Sequence, residues 1–212
     1  MNQFNDGVDF AIVSFFHKNF GNSSFKIALW EVLTLPGDGV LYFPILLPIG
    51  IVSWLTGILP ELSKEQEYLL IYLYVVLVVD MSLNFVVKDI TKRQRPSFHK
   101  HDLRFPGPDK YSFPSGHASR AGALVALITA LLKYEPQLLS IATFGLSAEI
   151  ATSTLLSWLW GWAVVNSIGR LALGRHFASD VILGTIVGYV VHFPVAQWLM
   201  YSMYAPPHGI TK

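Results

Sequence analysis

The 212-residue chain contains no cysteine, which excludes disulfide cross-links, thiolate zinc sites and thiol nucleophiles. Charge is scarce too. Charged residues make up 14% of the sequence, where a soluble domain carries roughly 25%. Fifteen basic against fourteen acidic residues leave a formal charge of +1, so no global field draws the chain to nucleic acid. The polar start, Met1 to Gly7, contains Asp6 and lacks the basic and apolar blocks of a signal peptide. Any targeting is therefore expected to come from membrane spans. There is no internal repeat and no low-complexity tract. What is plentiful is apolar: 52% of residues, with a mean hydropathy of +0.46. A chain of one domain's length with so little charge cannot cover a water-facing surface. Its solvent is the bilayer.

A crossing needs about 20 mostly apolar residues. Five stretches qualify: Gly39–Pro60, Tyr68–Val87 (interrupted by Asp80), His117–Tyr134, Ile150–Gly169 and Val181 to Met203, the last containing His192. The stretch Val8 to Leu35 is different. Asp9, His17, Lys18, Lys26 and Glu31 interrupt it, while Phe15, Phe16, Phe25 and Trp30 give it an apolar side. It reads as a pair of amphipathic helices lying in the interface, with a sixth crossing as the alternative. The expected fold is all-α: a polytopic membrane bundle of about five transmembrane helices. It forms a single domain over 1–212, with interfacial helices in 1–35 and the transmembrane core in 36–203. Oligomeric state is not legible.

Polar residues gather at span ends in three clusters, and a membrane protein places them there for a reason. The first is Lys88, six residues, then Arg95-Pro96; the second is Pro114-Ser115-Gly116-His117; the third is Arg170, five residues, His176, three residues, Asp180. Arginine offers a planar fork of donors that matches phosphate oxygens. Ser115 adds a hydroxyl, and Gly116 lets a backbone N–H approach an anion closely. If His117 opens a helix, the positive end of that helix faces the same anion. His176 and Asp180, four apart, share one face if helical. A carboxylate on one imidazole nitrogen frees the other as nucleophile or base, which leaves His117 to protonate a leaving oxygen. Each cluster alone has a plainer reading, as a snorkelling anchor, a turn or a helix-surface hydrogen bond. Their joint order at span boundaries does not.

The three clusters resemble the signature of the type 2 phosphatidic acid phosphatase superfamily, which also includes vanadium haloperoxidases and glucose-6-phosphatase. One position departs from it: Gly169 stands where the third motif has serine. A closer resemblance, carried by Asp109 to Ala121, by Leu173-Gly174-Arg175-His176 and by Asp80 eight residues before Lys88, is to polyisoprenoid (presqualene) diphosphate phosphatases. The resemblance implies that Lys88, Arg95, Ser115, Gly116, His117 and Arg170 bind the phosphoryl group. It further implies that His176 attacks phosphorus, that Asp180 orients it and that His117 protonates the leaving group. It implies no cofactor and no metal, and a membrane of the endoplasmic reticulum or nuclear envelope. The expected partners are the bilayer and a lipid phosphate or diphosphate. A haloperoxidase and a silent lipid-binding scaffold are the rival readings.

Clusters two and three can share a pocket only if an even number of crossings separates them. His117–Tyr134 and about Thr154–Leu173 supply two, so Pro136–Glu149 should be an interfacial, re-entrant or extending piece. Asp80, Asn84 and Lys88 share one helix face. Asp80 is expected to anchor Lys88, Arg95 or a guanidinium from a neighbouring helix, or simply to serve helix packing. Lys92 and Arg93 are expected to favour a diphosphate or to anchor lipid headgroups. His99 and His101 read as solvated. The basic end of the bundle, opposite the acidic loop Glu61–Glu67, would be cytosolic by the positive-inside rule.

Overall fold

Serines start two of the helices. Ser23 accepts a hydrogen bond from the Lys26 amide, and Ser63 forms a reciprocal capping box with Gln66. The computed structural model describes residues 7–58, 61–98, 107–142 and 150–204. Its helices are α1 (Val8–Phe20), α2 (Ser24–Thr34), α3 (Leu41–Leu55), α4 (Lys64–Thr91), α5 (Gly116–Tyr134), α6 (Pro136–Ala142), α7 (Thr152–Ala172) and α8 (Ala178–Met203). The expected all-α membrane bundle is the observed fold. Pro44 lies within a π-helical turn, Leu41–Leu46, and Pro194 follows another, Gly188–His192. Proline cannot donate to the carbonyl four residues back, and the ladder widens around it.

Among the described residues, α4 and α8 are each long and apolar enough to cross a membrane. A third candidate is the pair Ser24–Gly37 and Leu41–Leu55, bent by 71° at its break. The helix in the stretch expected as the first crossing, Gly39–Pro60, is shorter than its apolar run: it starts at the bend and ends at Leu55. Helices α5 and α7 have 19 and 21 residues. At 1.5 Å per residue that is about 28 and 31 Å, close to the roughly 30 Å hydrocarbon core.

The chain runs up α4, back down α5, up α7 and down α8. At the far end Tyr201 donates to Glu135 over 3.1 Å, and the Tyr68 and Tyr204 rings lie 5.9 Å apart. Clusters two and three thus meet at one end, separated by two passages, α5 and α7. The 7-residue α6 packs on α4 and α5 and, at about 10 Å, is too short to cross. The rest of the expected Pro136–Glu149 segment lies outside the described residues.

Two packing features position the site. Tyr68, Tyr72, Val76 and Leu77 of α4 bury against Leu127 and Leu131 of α5 and Phe193 and Met200 of α8. Helices α5 and α8 approach backbone to backbone. A Cβ on Gly188 would stand 1.9 Å from the Ser119 carbonyl oxygen, and one on Gly122 would stand 2.2 Å from that of Thr185. Small residues replace side-chain volume with axis proximity, the usual device in a bilayer. At the cluster end α1 and α2 pack on α7, and His17 Nδ1 meets the Ala172 carbonyl at 2.8 Å.

Candidate active site

The close approach of α5 and α8 brings their first turns together, and the Ser115 amide donates to the Asp180 carbonyl over 3.1 Å. His176 sits just before α8, only 2% exposed. Its Nδ1 lies 2.8 Å from the Ser112 carbonyl oxygen. A carbonyl only accepts, so Nδ1 carries the hydrogen and Nε2 presents its lone pair. Arg95 Nη1 stands 3.3 Å from that Nε2 and donates toward it. Burial first, then the charges of Arg95, Lys88 and Arg170, hold the imidazole well below the ordinary histidine range. An unprotonated Nε2 beside cations is the arrangement a nucleophile for an anionic phosphorus needs.

The expected direct hydrogen bond from His176 to the Asp180 carboxylate is replaced by an indirect link. His176 precedes the helix rather than sharing a face with Asp180, and the carboxylate lies 3.8 Å from Nδ1. Asp180 instead accepts from the Ser112 hydroxyl, from the Phe177 amide at 2.8 Å and from Arg93 at 2.5 Å. Ser112 joins the two groups, its hydroxyl on Asp180 and its carbonyl on His176. Sequence reasoning missed it because its contact with the imidazole is made by backbone, which any residue carries. Arg93 is committed as well. It bridges Asp180 and Asp9, 2.7 Å away, and lies 4.3 Å over the Phe177 ring. The expected roles of Arg93, diphosphate ligand or headgroup anchor, do not match that position. Lys92, the left-handed cap of α4, is exposed.

The other expected phosphate ligands surround the same space. Lys88 donates to the Tyr111 carbonyl over 2.7 Å and lies 3.4 Å from Asp109. Arg95 reaches the Asp109, Lys110 and Arg175 carbonyls at 2.6, 3.2 and 3.0 Å. Burial, the largest influence, helps bring the Arg95 guanidinium down to about 10. Arg170 is fully buried, and its Nε, Nη1 and Nη2 have no hydrogen-bond partner among the described residues. The Ser115 hydroxyl is unpartnered in the same way. Gly116 opens α5, and a Cβ there would meet nothing within 4 Å. The leading amides of a helix lack intrahelical partners, so they add donors at its positive end.

His117 is nearly buried; its carbonyl accepts from Asn166 at 3.0 Å, and its Nε2 lies 3.6 Å from the Asp38 carboxylate. Asp38 belongs to none of the three clusters, and a lone Asp in a Pro-Gly-Asp-Gly turn carries no signal of its own. Burial opposes its ionisation, but His117, the Val40 amide and Arg170 outweigh this and keep the carboxyl below the usual range.

Asp80 does not hold Lys88 or Arg95. Its partners are Arg120 at 3.3 Å, His192 at 2.8 Å, the Ser119 hydroxyl at 2.7 Å and Asn84 at 3.0 Å. Of the expected alternatives, the guanidinium from a neighbouring helix fits, and so does helix packing through the Asn84 hydrogen bond. His99 and His101 lie outside the described residues. The glycine at 169 also has a reason: a Cβ there would fall 2.4 Å from Thr34 Cγ2 and 3.0 Å from Trp30 Cε3, so α2 occupies the space a serine would need.

The fold and the convergence of the three clusters define a helical membrane protein with buried cations and two imidazoles gathered at one end of the bundle. Residues 68–204 match the PAP2 superfamily, and the chain belongs to it. Among its relatives, the probable lipid phosphate phosphatase beta of Arabidopsis thaliana is 30% identical over 151 residues. That alignment takes in 61% of this chain and 65% of the relative, a little under two thirds of its length. A transmembrane PAP2 type phosphatidylglycerolphosphate phosphatase from Bacillus subtilis superposes with a TM-score of 0.63 at 21% identity, over 97% of this chain and 90% of that one. LpxE of Aquifex aeolicus gives 0.55 at 17% identity, over 93% and 99%. At these identities the likeness establishes the fold.

Proposed function

We propose that the protein hydrolyses the phosphate group of a membrane lipid phosphate or diphosphate through a phosphohistidine on His176. The observation that carries this reading is the fully buried Arg170, three nitrogens unpartnered among the described residues, beside an imidazole whose Nε2 is free of hydrogen. Such a guanidinium calls for an anion. Nε2 of His176 attacks phosphorus as the bond to the leaving oxygen breaks, and His117 gives that oxygen its proton. Water then attacks the N–P bond, with His117 taking the proton and orthophosphate departing. Lys88, Arg95, Arg170, Ser115 and the amides of α5 hold the equatorial oxygens, where charge accumulates.

The pocket lies at helix ends, which suits a substrate whose tail stays in hydrocarbon while its head reaches water. A polyisoprenoid diphosphate is the preferred substrate, supported by the resemblance of Asp109–Ala121 and Leu173–His176. The Arabidopsis relative is named a probable lipid phosphate phosphatase, which favours lipid phosphates more broadly, so phosphatidic acid is the second reading. The test is phosphate release from farnesyl diphosphate and from phosphatidic acid in detergent micelles, without added metal. His176→Ala is expected to lose at least about a thousandfold in kcat. An active His176→Ala variant removes the nucleophile, and faster turnover of phosphatidic acid removes the isoprenoid preference.

A further inference from the structure

From the geometry around the α2–α3 break we infer that Asp38 is a positioning residue for the general acid. It faces His117 Nε2 from 3.6 Å and stabilises the protonated imidazole that serves the leaving oxygen, and Arg120 fastens the backbone beside it. This rests on the phosphatase reading above. Asp38 lies outside residues 68–204 and outside the three clusters, so no motif assigns it a role.

The break is fastened on both sides. Arg120 of α5, itself paired with the fully buried Asp80, donates to the Gly37 carbonyl over 2.7 Å. On the other side Asn166 of α7 backs Gly37 so closely that a Cβ there would lie 2.5 Å from its Oδ1. The same Asn166 donates to the His117 carbonyl. Asp38 Oδ1 accepts from the Val40 amide at 3.0 Å, which leaves Oδ2 facing His117 Nε2. The α2–α3 corner is therefore pinned by buried polar side chains from the two helices flanking the pocket. What it presents there is one carboxylate.

The chemistry needs such a group. Burial and the charges of Arg170 and Arg120 oppose an imidazolium, and a carboxylate 3.6 Å away counters part of that opposition. In the first step the P–O bond breaks and the imidazolium of His117 gives a proton to the departing oxygen; Asp38 stays ionised throughout and stabilises the imidazolium before the transfer. A leaving group that departs as a stable anion needs no proton and should not depend on Asp38. An alkoxide should.

The experiment compares kcat/KM for phosphatidic acid, whose leaving group is an alkoxide, with that for 4-nitrophenyl phosphate, whose leaving group is a nitrophenolate. Asp38→Asn is expected to lower the first about a hundredfold and the second less than about fivefold. Asp38→Glu is expected to recover part of the loss on phosphatidic acid. Both rates come from one preparation, so their ratio is independent of the fraction folded. Equal losses on the two substrates, or none on either, would overturn the role of Asp38 while leaving the phosphatase intact. A wild type inert toward both and toward farnesyl diphosphate overturns the phosphatase reading itself, and Asp38 with it.

Discussion

Replacing Arg170 by methionine should make the anion-free protein more stable and the anion-bound protein no better. The guanidinium is fully buried with three nitrogens unpartnered among the described residues, and Arg95 and Arg175 add like charge nearby. A buried polar group without a partner costs about 1–3 kcal/mol, and exchanging buried charge for apolar volume stabilises by about 1–4 kcal/mol. Taking about 2 kcal/mol, a chain of this size should gain roughly 4–8 °C in its unfolding midpoint. The wild type should behave in the opposite way toward orthophosphate. At a hundred times its Kd, the anion adds about 2.7 kcal/mol, a comparable shift, while Arg170→Met should show little response. Thermal unfolding followed by tryptophan fluorescence in detergent, with and without phosphate, measures all four midpoints. A lower midpoint for the anion-free variant, or equal phosphate shifts in both proteins, would refute a pocket organised around Arg170.

Gly169→Ser places its Cβ against Thr34 and Trp30 and should cost about 1–3 kcal/mol by overpacking. Thr34→Ala should recover part of that loss in a double-mutant cycle, and simple additivity would show that α2 does not set the choice of glycine. His176 is held below the ordinary value of 6.5. Between its folded value and 6.5 the unfolded chain binds a proton that the folded chain does not, so stability is present above about pH 6.5 and falls as pH drops below it. The slope for one proton is about 1.4 kcal/mol per pH unit. Unfolding midpoints from pH 7 to 5 should therefore fall less steeply for His176→Gln than for wild type, and parallel curves would contradict a neutral buried imidazole.

How much of the site was legible depended on whether a group acts through its side chain type or through its backbone and neighbours. Lys88, Arg95, Ser115, Gly116, His117, Arg170, His176 and Asp180 could be picked out because charge and hydroxyl at span ends are conspicuous. The connections among them could not. Ser112 meets His176 through a carbonyl oxygen, and Asp180 spends its oxygens on Ser112, the Phe177 amide and Arg93. Arg93 looked like one more surface cation because its partners, Asp9 and Asp180, are 84 and 87 residues distant. Asp38 was invisible for the same reason. Its significance comes from a 71° bend that returns the N-terminal segment to the start of α5.

The spans illustrate the reverse case, in which the fold explains why hydropathy understates a membrane helix. Among the described residues two helices pass on mean hydropathy, yet α5 and α7, counted as crossings from their apolar runs, are long enough and run between the same two ends of the bundle as α4 and α8. Their polar residues explain the shortfall: His117, Ser119 and Arg120 on α5, Asn166 and Arg170 on α7, all buried. Ser119, Arg120 and Asn166 are tied to Asp80, Gly37 and His117, so lipid never meets them. What α7 turns outward is Trp158, Trp160, Val164 and Val165. A bilayer solvates the outer face of a helix, whereas a hydropathy average counts every residue. The polar groups that lower the average face inward, toward the cluster end, and a helix can be a poor span by composition because its inner face is polar.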